Sequence, residues 1–221
     1  MTGQPSNPWG DRDWTPYYEA VAGKEPRETL IRAIEILDPS AGPRCAIDLG
    51  AGEGRDTRLL LAHGMRVLAL DPHPAAGDRI RAGLDRASLD RMTVVRAGAE
   101  DLSGVLDAHP AFALPAVVNA SFSLPFVRPE IFARAWGVIA GLVRGGAVFA
   151  GQFFGPRDTW ATNPTRSHHT RGEVEGLFSG LRVHVLREDE KDGFDAEGRA
   201  KHWHVFHVVA GRGEPAGGSG R

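Results

Sequence analysis

The apolar run Ala46-Ile47-Asp48-Leu49 ends in three glycines at alternate positions, Gly50, Gly52 and Gly54. No other segment limits the fold of this chain as strongly. Glycine reaches positive φ without the penalty of a Cβ, and it lets a ligand approach the main chain closely. The residues that follow, Arg55 to His63, read as a helix stopped by Gly64. A buried strand feeding a tight glycine turn and then a helix is the opening unit of a parallel α/β sheet.

The alternation then repeats. Val67–Leu70 reads as a second apolar strand, closed by Asp71-Pro72, and Ala76, Ile80 and Leu84 mark a helix. Met92–Val95 and Ala116–Val118 read as the third and fourth strands, the latter ended by Asn119. Pro129 opens a helix with the stripe Ile131, Ala135, Ile139 and Leu142, and Gly145-Gly146 turns the chain into a fifth strand, Ala147–Phe154. This order predicts an α/β fold with a mostly parallel sheet and helices on both faces.

The ends read differently. Trp14, Tyr17, Tyr18 and Val21 lie on one face of a short helix within Asp11–Ala22. Pro26 is placed to open the next helix, whose stripe is Leu30, Ala33, Ile34 and Leu37, and Pro39–Pro43 is a linker. Thr170 and Glu173 form a capping box for a helix through Val174, Leu177 and Phe178. Leu181–Leu186 is a strand, Glu188–Gly198 a charged turn, and His202–Val209 a last strand, expected antiparallel beside the fifth. The expected organisation is one domain over residues 1–210, with an N-terminal arm over 1–25. The Gly-rich tail 211–221 is expected to be disordered.

Composition narrows the class. Hydrophobic residues make up 42% and charged residues 24%, a globular balance. The single cysteine, Cys45, excludes an intrachain disulfide framework and a cysteine-rich zinc site. No apolar run long enough to span a membrane and no secretory h-region are found, which points to the cytoplasm and no membrane partner. A net charge of −2 argues against nucleic acid as a partner. Only Lys24, Lys191 and Lys201 of the 26 basic residues are lysines, which reads as genomic bias.

Asp71, at the end of the second strand, is placed to accept hydrogen bonds from ribose hydroxyls, so a nucleoside-containing cofactor is expected there. The dinucleotide fingerprint needs a third glycine where this chain has Arg55. Asp48, two residues before Gly50, suits a cofactor bearing an ammonium and a sulfonium better than a pyrophosphate. S-adenosylmethionine (SAM) therefore fits better than NAD.

Between Arg44 and Phe154 the chain resembles the class I SAM-dependent methyltransferases. The resemblance rests on the Asp48–Gly54 motif, Asp71, Ala99-Glu100-Asp101 and Asn119. Within that class, Asp48–Asp56, Asn119–Phe126 and Gly151–Gly155 look like the small bacterial tellurite-resistance-type enzymes. The resemblance implies a Rossmann-like, seven-stranded sheet whose last strand is antiparallel. It also implies Gly50 and Gly52 along the methionine part of the cofactor, with Asp48 orienting the glycine loop. Asp71 would bind the ribose, Glu100 and the backbone of Ala99 the adenine, and the Asn119 carbonyl the ammonium. Many relatives carry an acid where this chain has Gly98.

Methyl transfer from a sulfonium is an in-line displacement, so the protein mainly aligns the nucleophile with the methyl group. A small-molecule acceptor is expected, touching Trp14 and Tyr18 of the arm and Phe122 after the fourth strand. The loop from Gln152 to His169 adds Phe154, Asp158 and Trp160, and His204 adds to the pocket from the last strand. Trp9 and Tyr17 extend the aromatic arm, which is expected to close over the pocket. His168 and His169 are candidate general bases, because histidine titrates near neutral pH. His202 and His204 alternate away from His207, so no metal site is expected. The alternatives are a nucleic-acid or protein methyltransferase, an NAD-dependent oxidoreductase, and a non-catalytic SAM-binding module. Against the first, Asn119-Ala120-Ser121-Phe122 lacks the prolines of the amino-methylating DNA enzymes.

Overall fold

The computed structural model describes residues 14–38 and 44–212. Trp9, the Pro39–Pro43 linker and most of the tail lie outside them. The helices are α1 (Thr15–Val21), α2 (Glu28–Ile36), α3 (Arg55–Ala62), α4 (Ala76–Arg81), α5 (Arg86–Asp90), α6 (Leu102–Ala108), α7 (Pro129–Arg144) and α8 (Arg171–Leu177). The strands are β1 (Cys45–Leu49), β2 (Arg66–Leu70), β3 (Met92–Val95), β4 (Val117–Ala120), β5 (Val148–Phe154), β6 (Arg182–Phe194) and β7 (Ala200–Gly211).

They form one seven-stranded sheet in the order β3-β2-β1-β4-β5-β7-β6. β1 to β5 pair in parallel, whereas β7 runs antiparallel to both β5 and β6. The inner strands are buried on both faces, which is why they read as continuous apolar runs. On one face α2, α3 and α4 bury Leu30, Leu60 and Ile80 against Ala46, Val67 and Val117. On the other, α6 and α7 bury Leu102, Phe132, Trp136 and Ile139 against Ile47, Leu68, Val118, Phe149 and Phe206.

The sheet reverses its winding between β1 and β4. Their carboxyl ends, Leu49-Gly50 and Ala120-Ser121, frame the crevice where ligands bind in open α/β sheets.

Three expectations are corrected, and one helix had none. β6 runs on to Phe194, through most of the segment read as a turn, because its charged residues sit on an edge strand whose outer rim meets solvent. β7 continues through Gly211, a residue expected to belong to the tail. Pro26 does not open α2: Arg27 occupies the N-cap and Glu28 is the first helical residue. α6 was not read from the sequence at all, although Leu102 and Val105 pack as a helical pair. The capping box of α8 is present, with the Thr170 amide donating to the Glu173 carboxylate at 2.7 Å. Among the described residues, no helix is long and apolar enough to cross a membrane.

Candidate active site

The glycine loop turns at Gly50 with φ +69°, and a Cβ built there collides with the side chain of Ser123. That close approach brings the loop after β1 against the loop after β4. Gly50 and Ala51 both donate their amides to the Leu70 carbonyl at the end of β2. The Gly52 amide donates to Asp71 Oδ2 at 2.8 Å, and the His73 amide to Asp71 Oδ1 at 2.8 Å. Asp71 is therefore fastened to the glycine loop and faces a cleft lined by Gly50, Gly52, Gly98 and Ala99. Burial pushes its carboxyl upward, against the pull of these amides.

Tyr18 of α1 donates its hydroxyl to Asp71 Oδ1 at 3.0 Å and lies edge-on to His73. The expectation had Tyr18 against the acceptor. The structure places it at the carboxylate and the glycine loop instead.

Asp48 and Asn119 sit behind the loop. The Asn119 amide donates to Asp48 Oδ1 at 2.8 Å and to Asp56 Oδ2 at 3.2 Å, and Thr57 donates to Asp48 Oδ2 at 2.6 Å. Asp48 thus ties β1 to β4 and α3, and its carboxylate makes no hydrogen bond to a glycine-loop amide. Burial first, and the neighbouring Asp56 second, push its carboxyl up to about 7. Glu100 follows β3, and both its carboxylate oxygens are sealed from solvent without a hydrogen-bond partner.

A second cavity, of about 480 Å³, opens on the α2 face of the sheet. Its inner walls are aromatic: Phe122, Phe126, Phe154, Trp160 and Trp203, with Trp14 above. Phe122 and Phe126 line both this chamber and the cleft, so the two spaces share one wall. Phe122 has φ +51°, a strained conformation for a bulky side chain. Its amide donates to Gln152 Oε1 at 2.9 Å, while Gln152 Nε2 donates to Thr29 of α2 at 2.8 Å. One side chain on β5 therefore fixes the aromatic ring that divides the two spaces. Strain concentrates where surrounding structure over-determines it, and such places are often functional.

Behind the aromatic wall lies a buried ion pair, Lys201 with Asp158. The Lys201 ammonium lies 3.9 Å from the Trp160 ring centroid and 4.4 Å from that of Trp203. Asp158 also accepts the Trp160 amide at 2.9 Å.

Strand alternation sorts the histidines. Gln152 and Phe154 on β5, with Trp203, Val205 and His207 on β7, face the chamber. His204 points the other way: it is 1% exposed, packs on Phe206 and bonds Glu188 at 2.8 Å. It does not line the chamber as expected. His169 packs on Phe132 and Phe153, on the α7 face of the sheet. His168 lies against Phe154, and neither it nor His169 lines the chamber or the cleft. His207 is the histidine that does, with Nε2 at 3.2 Å from Asp189. Among the described residues, Glu188, Glu190 and His204 bring ligand atoms within 4.8 Å of one another. The Arg157 guanidinium already bridges both carboxylates there.

Sequence reading missed Arg27, Thr29, Lys201 and His207 as site residues. Only Lys201 carried a signal, as one of three lysines in an arginine-rich chain.

Solved structures share this fold. TehB from Haemophilus influenzae superposes with a TM-score of 0.63 at 12% identity, covering 85% of this chain and 62% of that one. The magnesium protoporphyrin IX methyltransferase of Synechocystis, solved with bound SAM, gives 0.58 at 13% identity over 94% of this chain and 88% of that one. The chain has the class I methyltransferase fold. A Burkholderia thailandensis 1,6-didemethyltoxoflavin N1-methyltransferase, solved with that compound and S-adenosylhomocysteine, gives 0.50 at 21% identity over 82% and 78% of the two chains. The chain spans less than two thirds of the length of TehB. No protein-family profile and no curated protein sequence match it. At such identities the likeness is one of fold, so the activity rests on the site itself.

Proposed function

We propose that this chain is a SAM-dependent methyltransferase acting on a small acceptor held in the aromatic chamber. The observation that carries the reading is the shared wall. A cleft built on Gly50, Gly52 and Asp71 meets an aromatic chamber at Phe122. When bound, SAM supplies an electrophilic methyl group on a sulfonium.

The residues fit such a cofactor. Asp71 is a carboxylate at the end of β2 whose Oδ2 holds one amide, leaving room for a ribose hydroxyl. Glu100 stands behind the lining residues Gly98 and Ala99, and its two buried oxygens lack the donors that an adenine amino group would bring. Gly50 and Gly52 leave the methionine end free of side chains. The Asn119 carbonyl, at the carboxyl end of β4, serves the ammonium, while the Asn119 side chain and Asp48 tie β4 to β1 and α3 behind the loop. Tyr18 would yield its bond on Asp71 as the ribose arrives, which makes α1 a lid over the cleft.

In the chamber, Phe122, Phe126 and Phe154 exclude water from the acceptor and orient it towards the cleft. His207, oriented by Asp189, is the chamber base for an acceptor whose nucleophile carries a proton. Burial, with the neighbouring Arg187, holds its pKa below the ordinary histidine value, which favours the neutral imidazole that can take a proton.

Asp71→Ala tests the cofactor assignment. It removes a charged hydrogen-bond acceptor, so affinity for S-adenosylhomocysteine should fall about ten- to a hundredfold. Unchanged affinity by titration calorimetry, with the variant folded, would remove Asp71 from the site.

A further inference from the structure

The charges around the chamber do not balance locally. Three carboxylates line it, and each has an arginine partner: Glu28 and Asp189 with Arg187 at 2.8 and 3.1 Å, and Asp195 with Arg199 at 2.7 Å. Three cations line it with no carboxylate within ion-pair distance among the described residues: Lys24, Arg27 and Lys191. Because Glu28 and Asp189 share one guanidinium, the five cations outnumber the three carboxylates by two, and the chamber carries a net positive charge.

Arg27 is the innermost of them. Its guanidinium lies 4.5 Å from the centroid of the Phe122 ring, at the wall shared with the cleft. Its Nε–H is buried and has no acceptor, an arrangement that costs free energy until one arrives. Arg55 lies close enough to repel it, and burial and that repulsion push the guanidinium below its ordinary value. Asp56 attracts it but is engaged by the Arg55 side chain, the Asn119 amide and the Arg27 backbone N–H. A planar guanidinium stacked on an aromatic ring, with an unmet donor, is suited to binding a carboxylate.

We propose that the acceptor is a planar aromatic carboxylate, its ring held between the chamber aromatics and its carboxylate held by Arg27. This deepens the methyltransferase reading and rests on it for the word acceptor. The binding selectivity can be read independently. Arg27 sets specificity, and Lys24 and Lys191 draw the anion towards the mouth.

The test is calorimetry on the full chain with matched probes, 2-naphthoate and its neutral isostere 2-naphthamide, each with and without saturating S-adenosylhomocysteine. Naphthoate should bind at least tenfold more tightly. Arg27→Gln should abolish that preference, naphthoate affinity falling at least tenfold further than naphthamide affinity. Octanoate, equally charged but without a ring, should bind more weakly than naphthoate. Equal affinities for naphthoate and naphthamide would overturn the proposal on the wild-type chain alone, whatever the variant does. So would a preference that survives Arg27→Gln in a folded variant, or octanoate binding as tightly as naphthoate. If S-adenosylhomocysteine fails to bind while naphthoate selectivity holds, the methyltransferase reading falls and the anion site stands.

Discussion

Lys201→Met is expected to destabilise the chain by about 3–5 kcal/mol, the usual cost of leaving one member of a buried ion pair without its partner. Asp158 and Lys201 are both buried, so water cannot take over the lost contact. Two backbone amides, of Trp160 and His204, remain on the Asp158 carboxylate and soften the loss towards the lower figure. The ammonium also leaves the faces of Trp160 and Trp203, contacts that strengthen when desolvated. Lys201→Met combined with Asp158→Asn removes both charges while keeping an acceptor for those amides. The double variant should therefore unfold at higher denaturant than Lys201→Met. If the single variant loses less than about 1 kcal/mol, the pair is not a determinant of this wall.

Gly50→Ala should lower turnover about a hundredfold, the penalty for displacing a positioned group by roughly 1 Å. The substitution has two separable effects. An alanine at φ +69° carries about 1–2 kcal/mol of left-handed strain, which appears as lost stability. Its Cβ also runs into Ser123, whose displacement moves the loop that carries Phe122. Adding Ser123→Gly removes the collision but not the strain. The double variant should recover turnover more than stability, and recovery of neither would mean that the contact does not position the site.

The sheet was legible because its inner strands are buried on both faces. Continuous apolar runs such as Val67–Leu70 announce such strands, and glycines mark where they end. The place of Asp71 after the second strand pointed to a ribose, and the resemblance alone supplied the expectation for Glu100. The rest depends on which residues face each other across the sheet. β6 carries Glu188, Glu190, Lys191 and Asp192, and that composition imitates a turn until the edge position is known. His204 and His207 differ only in parity along β7, and parity has no meaning until the register with β5 assigns the chamber face. His169 was read as facing a loop-lined pocket, yet it packs on Phe132 and Phe153 on the far side of the sheet. Arg27 meets Phe122 only through the fold, so spacing in the sequence held no trace of the contact.

The central claim, that the cleft at Gly50, Gly52 and Asp71 takes SAM, is tested most directly by thermal unfolding with S-adenosylhomocysteine and with NAD. A ligand at a hundredfold excess over its Kd stabilises the folded state by about 2.7 kcal/mol. S-adenosylhomocysteine should raise the midpoint accordingly, and NAD at the same concentration should leave it unchanged. A shift produced by NAD and not by S-adenosylhomocysteine would contradict the account.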